Sequence, residues 1–250
     1  MSITKLPQRK NQIAHDKIGN IESICPHCNH ALEKRPSRKT KCVHCGNYIF
    51  VRTRPIDKKK VLVTEEQAGE IDIQWMREDG TYEAYLADKE KFQKIKRELS
   101  IKFGQEASDR DVLWAIFNER LVEHSQKSNW GLFRNTRYEM ADLLRKEGQN
   151  NGALVTFIEV AYIDTNGPRN LNGITDPQLL KDFPPFDPKF AFQAPVIIQT
   201  IEKLSLMLKL DKQSLKKKFL EVVTQVKSRM NLPVSPEIAW EEYVKALKDK

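Results

Sequence analysis

The stretch CPHCNHALEKRPSRKTKCVHCG, residues 25–46, holds all four cysteines of this 250-residue chain in two C-x-x-C pairs thirteen residues apart. Four thiols so placed can serve as a redox couple, as disulfide staples or as a metal site. A redox C-x-x-C works from a helix N-terminus, where the dipole lowers a thiol pKa. Here the first pair runs into ALEKRPSRKTK, with a proline, five cations and no apolar helical period. Disulfides persist in oxidising compartments. The leading MSITKLPQRKNQIAHDK is polar and basic, without the apolar stretch of a secretory leader, so a cytoplasmic location is expected. Metal binding suits both spacing and flanks. The two sulfurs of a C-x-x-C turn can share one tetrahedral ion, and a second pair closes the shell. Asn29 and Gly46, which follow the two pairs, tolerate the positive φ of a tight turn. The expectation is a Zn2+ site made by Cys25, Cys28, Cys42 and Cys45, structural because no ligand position is left open. His27, His30 and His44 are not needed as ligands and are expected on the exposed turns.

The net charge of +8 is unevenly placed: residues 1–60 carry 14 Lys and Arg against 4 Asp and Glu, and the rest of the chain carries 28 against 30. The excess therefore sits on the cysteine-bearing segment and points to a polyanionic partner; a solubilising basic tail is the plain alternative. Lys34, Arg35, Arg38, Lys39 and Lys41 fill the excursion between the pairs. Arg52 and Arg54 lie on the run NYIFVRTRP, residues 47–55, whose period of two and terminal proline predict a β-strand. Tyr48, Phe50, Arg52 and Arg54 share one face of it, and Ile49, Val51 and Thr53 the other. These seven cations are the candidate contacts to DNA or RNA phosphates. Tyr48 and Phe50 can either stack on an unpaired base or pack the module's own small core.

The two cysteine turns with the returning strand, residues 21–56, resemble the zinc ribbon family. The resemblance implies a small metal-stabilised β-module used for docking nucleic acid or protein, since some 35 residues bury too little apolar surface to fold unaided. From the ribbon through VLVTEEQ to EVAYIDTNGP, the whole chain is similar to uncharacterised zinc-ribbon proteins carried by Gram-positive bacteria and their phages or prophages. That likeness implies no particular activity.

Helical signals dominate after the ribbon. Thr64 and Gln67 match a capping box opening a helix toward Met76, and a turn at Asp79-Gly80 precedes a solvated helix from Tyr82 to about Lys102 with a narrow seam of Tyr85, Phe92 and Leu99. Ser108 and Asp111 cap the next helix, with a stripe of Leu113, Ile116, Phe117, Leu121 and Val122. Two antiparallel helices broken at residues 148–152 place Met140, Ala141, Leu144, Gly148, Ala153, Phe157 and Val160 in the small and large alternation of a single tetratricopeptide-like pair. Six prolines between residues 168 and 195 block continuous helix and predict a connector packing its phenylalanines on the body. Two amphipathic helices follow, the second with Leu215, Phe219, Val222 and Val226 on one stripe, and a last helix opens at Ser235-Pro236-Glu237. The fold class is α+β: a small N-terminal β zinc ribbon followed by a mainly α-helical, repeat-like body. The expected divisions are a basic tail (1–20), the ribbon (21–56), a helical domain (57–167), a Pro-rich connector (168–195) and C-terminal helices (196–250).

No phosphate-cradling or dinucleotide motif occurs, and no run approaches the roughly 18 apolar residues that span a bilayer. His124 stands alone on a helix. Asp109, Asp111, Asp182 and Asp187 are spaced as caps and turns. The expected function is non-enzymatic: a zinc-binding accessory protein of bacterial or phage origin whose ribbon contacts DNA or RNA and whose helical body contacts a protein partner, with no membrane role. The alternative is an interaction adaptor with a purely structural ribbon, and a metal-dependent nuclease ranks third.

Overall fold

The computed structural model describes residues 17–248, so most of the expected basic tail lies outside the described residues. The chain divides into two compact units, the first ending at Lys94 and the second beginning at Ile95.

The first unit is built on an antiparallel sheet of β1 (Thr40–Lys41), β2 (Tyr48–Thr53) and β3 (Lys60–Val63), in that order, followed by helix α1 (Glu65–Glu78). In register, Phe50 faces Val63 and Val51 faces Leu62. Because side chains alternate across a sheet, Ile49, Val51 and Leu62 gather on one face with Cys25 and Cys42, while Phe50, Val61 and Val63 meet Ala68 and Ile71 of α1 on the other. The sheet is thus covered by the cysteine turns on one side and by α1 on the other. The predicted capping box is present: Thr64 Oγ1 accepts from the Gln67 amide, and Gln67 Oε1 from the Thr64 amide, both at 3.2 Å. Trp75 Nε1 donates to the Thr53 carbonyl at 2.6 Å and fastens α1 to the strand.

The sheet continues past the expected ribbon limit at residue 56. Val61-Leu-Val63 is too short and too uniformly apolar for periodicity to separate a buried strand from the start of a helix. Its free edge is closed by Asn20, whose amide donates to the Leu62 carbonyl at 2.9 Å and whose carbonyl accepts from the Leu62 amide at 2.8 Å, leaving less bare strand to template aggregation. Gly19 beside it has φ +85°, and a Cβ there would lie 2.5 Å from Val63 Cγ1, so only glycine fits.

Helix α2 (Tyr82–Phe103) runs across the division and buries only Ile95. The seam expected of Tyr85, Phe92 and Leu99 is not a buried one: Tyr85 is exposed and the other two are half-buried. In the second unit α3 (Asp109–Gln126), α4 (Trp130–Lys146) and α5 (Asn150–Thr165) follow, then α6 (Pro177–Asp182), a 3-10 turn (Pro188–Phe190), α7 (Pro195–Met207), α8 (Lys212–Met230) and α9 (Pro236–Lys248). Helix α5 is the centre: from Ala153 to Thr165 every residue but Val155 is buried, because α4, α7, α8 and α9 all pack on it. Met140, Ala141, Leu144, Ala153, Phe157 and Val160 are buried as the helix-pair pattern requires, and the pair is enclosed by later helices instead of being extended by stacked copies. The stripe of Leu215, Phe219, Val222 and Val226 is buried as well, with the Phe219 ring 5.3 Å from Trp240 and 5.4 Å from Tyr243.

Two apolar expectations fail. Val122 is exposed, the buried positions of α3 being Val112 and Phe117. Of the connector phenylalanines only Phe186 is buried, 5.2 Å from Trp130, whereas Phe183, Phe190 and Phe192 are exposed. The prolines interrupt any regular period that would aim these rings at one face. Among the described residues no helix is long and apolar enough to cross a membrane.

Candidate metal centre

Two local turns with one hydrogen-bond pattern build the site. Cys25 N–H donates to the His30 carbonyl and Asn29 N–H to the Cys25 carbonyl; seventeen residues on, Cys42 N–H donates to Asn47 and Gly46 N–H to Cys42, all four bonds at 2.9 Å. Asn29 and Gly46 both sit in the left-handed region, at φ 57° and 72°, which lets each turn curl its amides beneath the sulfurs. The turns face each other so that Cys25 Sγ lies 3.8 Å from Cys45 Sγ and Cys28 Sγ 3.9 Å from Cys42 Sγ. All four sulfurs lie within 4.8 Å of one another. A tetrahedral ion about 2.3 Å from each sulfur needs them about 3.8 Å apart, so the four thiols fit one metal ion. Ile49, Leu62 and Leu32 pack against the cluster and shield it on the sheet side.

The thiols affect one another. Cys42 is lowered to about 6, chiefly because the Cys45 amide donates to its sulfur, with the His44 amide and Cys25 adding to the effect. Cys28 moves the opposite way, to about 12: the His30 amide pulls it down, but burial and hydrogen bonds with Cys25, Cys45 and Cys42 outweigh that pull. Each thiolate formed here raises the cost of the next. Four adjacent thiolates require a shared cation. His27, His30 and His44 are exposed and outside the sulfur cluster, as expected. His27 Nε2 lies 3.0 Å from the Tyr48 carbonyl, and the His30 and His44 rings stack at 4.4 Å.

The seven candidate cations divide into two groups. Lys34, Arg38, Lys39 and Lys41 are exposed. Lys39 Nζ sits 4.5 Å from the centres of both the Tyr48 and Phe50 rings, and Lys41 Nζ 5.2 Å from Tyr48. The three other arginines hold the fold together. Arg35 donates to the Ile21 carbonyl and, at 2.8 Å, to the Lys60 carbonyl, clamping the excursion to β3. Arg52 pairs with Asp72 of α1 at 3.0 Å. Arg54 is buried, grips Asp57 at 3.1 and 2.6 Å and reaches the Ile18 carbonyl at 3.3 Å. It presents no charge to a ligand, which removes it from the phosphate-contact set. The period-two reading put Arg54 on a strand face, but the turn at Lys58, φ 55°, folds Asp57 back onto it. Lys58 and Lys59 are exposed after that turn, and Lys60 is exposed at the start of β3. The run of three was plain in the sequence, and their place beside the ribbon follows only from β3. Asp111 and Asp187 are caps, as expected.

No protein-family model matches this chain, and no curated protein or solved structure is significantly similar to it. The likeness to phage-associated zinc-ribbon proteins therefore receives no support from these comparisons.

Proposed function

We propose that this chain is a zinc-binding accessory protein, of bacterial or phage origin, whose basic ribbon binds DNA or RNA through phosphate contacts and whose helical body engages a protein partner. Zinc is the ion of choice for four thiolates in a closed tetrahedral shell. Its role is to hold the two turns together and keep the cationic excursion in shape; no ligand position is left for catalysis. The observation that carries the nucleic-acid reading is the exposure of Lys34, Arg38, Lys39 and Lys41 on the excursion between the turns, with no carboxylate paired to them among the described residues. Exposed lysines at 58–60 enlarge the same charge.

Fluorescence anisotropy of the zinc-loaded full chain on short DNA and RNA tests this. Four phosphate contacts give a log–log salt slope of about −3 to −4, a loss of about 50- to 150-fold in affinity from 50 to 200 mM salt. Replacing Lys34, Arg38, Lys39 and Lys41 with Gln flattens that slope. Absence of affinity for either nucleic acid at low salt would remove the reading. A second reading, an interaction adaptor with a purely structural ribbon, is favoured by Leu179, Phe183 and Phe190, exposed around a cavity of about 650 Å³ on the helical body. The adaptor keeps its partner when the four ribbon cations are replaced.

A further inference from the structure

Resting on the nucleic-acid reading above, we propose that Tyr48 is a stacking platform for an unpaired base, so that the ribbon's ligand is a single strand. Tyr48 and Phe50 point to the same face of β2, yet their surroundings differ. Phe50 packs on the cluster of Val61, Val63, Ala68 and Ile71 beneath α1, whereas Tyr48 lies beyond that cluster and is 47% exposed. One exposed aromatic means little. Its neighbours give this one meaning.

Lys41 is the direct cross-strand partner of Tyr48 in the sheet, and Lys39 lies two residues before it. Their ammonium groups rest 5.2 and 4.5 Å from the Tyr48 ring centre. Such exposed cation–π contacts are weak, and both lysines are on long flexible stems that can exchange the ring for a phosphate. The ring's base is fixed more firmly. His27 Nε2 lies 3.0 Å from the Tyr48 carbonyl, tying the start of β2 to the first cysteine turn. Tyr48 is thus an aromatic face on a metal-organised backbone, with two mobile cations at its side. Base stacking on an aromatic ring tolerates any sequence and is combined with cations that follow the backbone in single-strand binders. A duplex keeps its base faces inside its own stack and offers Tyr48 only backbone and groove edges along its length.

The experiment uses the zinc-loaded full chain, a 15-nucleotide thymidine oligomer, the same length of duplex, and a sugar-phosphate oligomer lacking bases, all in one buffer. The single strand is expected to bind about 5- to 150-fold more tightly than the base-free strand. Tyr48→Leu removes that advantage and Tyr48→Phe keeps it, with zinc content and the salt slope unchanged, since no cation is lost. Equal binding of the thymidine and base-free strands by the unaltered chain overturns the proposal without relying on any variant. So does duplex binding as tight as single-strand binding; in both cases phosphate recognition by the ribbon still stands. Binding to none of the three overturns that broader reading as well.

Discussion

Replacing Ile49 with Ala examines how the cysteine turns and the sheet are held together. Ile49 is 1% exposed, and among the described residues the cluster around it contains three other buried ones, Cys25, Cys42 and Leu62, two of which belong to the four-cysteine group. Truncating a buried isoleucine costs about 2–5 kcal/mol, including the cavity left behind. A unit this small has an urea dependence of about 1 kcal/mol per molar, so the midpoint for metal release should fall by about 2 M or more. Val43 is the matched control: it lies on the second cysteine turn but is 93% exposed, and Val43→Ala should move the midpoint by less than about 0.5 M. The assay is urea-induced release of metal from the full chain, read with a chromogenic indicator. Equal midpoints for the two variants would refute the view that Ile49 and the ligands form one cooperative core.

Two further outcomes concern the helical body. Phe219→Ala should destabilise the second unit by about 3–5 kcal/mol, because the ring is fully buried between Trp240 and Tyr243, whereas Phe192→Ala, at a ring 71% exposed, should leave its urea transition in place. Burial pushes the Tyr162 phenol up to about 12 and moves Tyr243 upward also. A proton held more tightly in the folded state contributes stability that is complete below the ordinary tyrosine value near 10 and is lost as pH rises through the raised value. An alkaline titration followed by phenolate absorbance and far-ultraviolet circular dichroism should therefore show the Tyr162 and Tyr243 phenols ionising only as the body unfolds; their ionisation at pH 10 in a chain that stays folded would contradict this.

The clustering of the four cysteines was legible because its information is local. Two C-x-x-C pairs, each with its positive-φ residue, encode the same turn twice, and only the meeting of the turns needs tertiary structure. The caps at Thr64 and Ser108 and the Leu215 to Val226 stripe were readable for the same reason: each is a short-range pattern with one structural solution. Charge was read less well. Whether an arginine faces solvent or a carboxylate depends on contacts distant in sequence, as with Arg52 and Asp72, or on a turn that doubles back, as with Arg54 and Asp57. The strand at Val61-Leu-Val63 was hidden by its brevity. Helix α5 was readable only as one member of a pair: it is buried on every side, Thr156, Glu159, Asp164 and Thr165 included, so the stripe of Ala153, Phe157 and Val160 does not show which other faces meet later helices.

The most direct test combines elemental analysis with X-ray absorption on the protein purified from its own host. One zinc per chain, bound by four sulfurs at about 2.3 Å, is the predicted result. A metal-free protein, or an ion with nitrogen in its first shell in place of any of the four sulfurs, would contradict the assignment of Cys25, Cys28, Cys42 and Cys45.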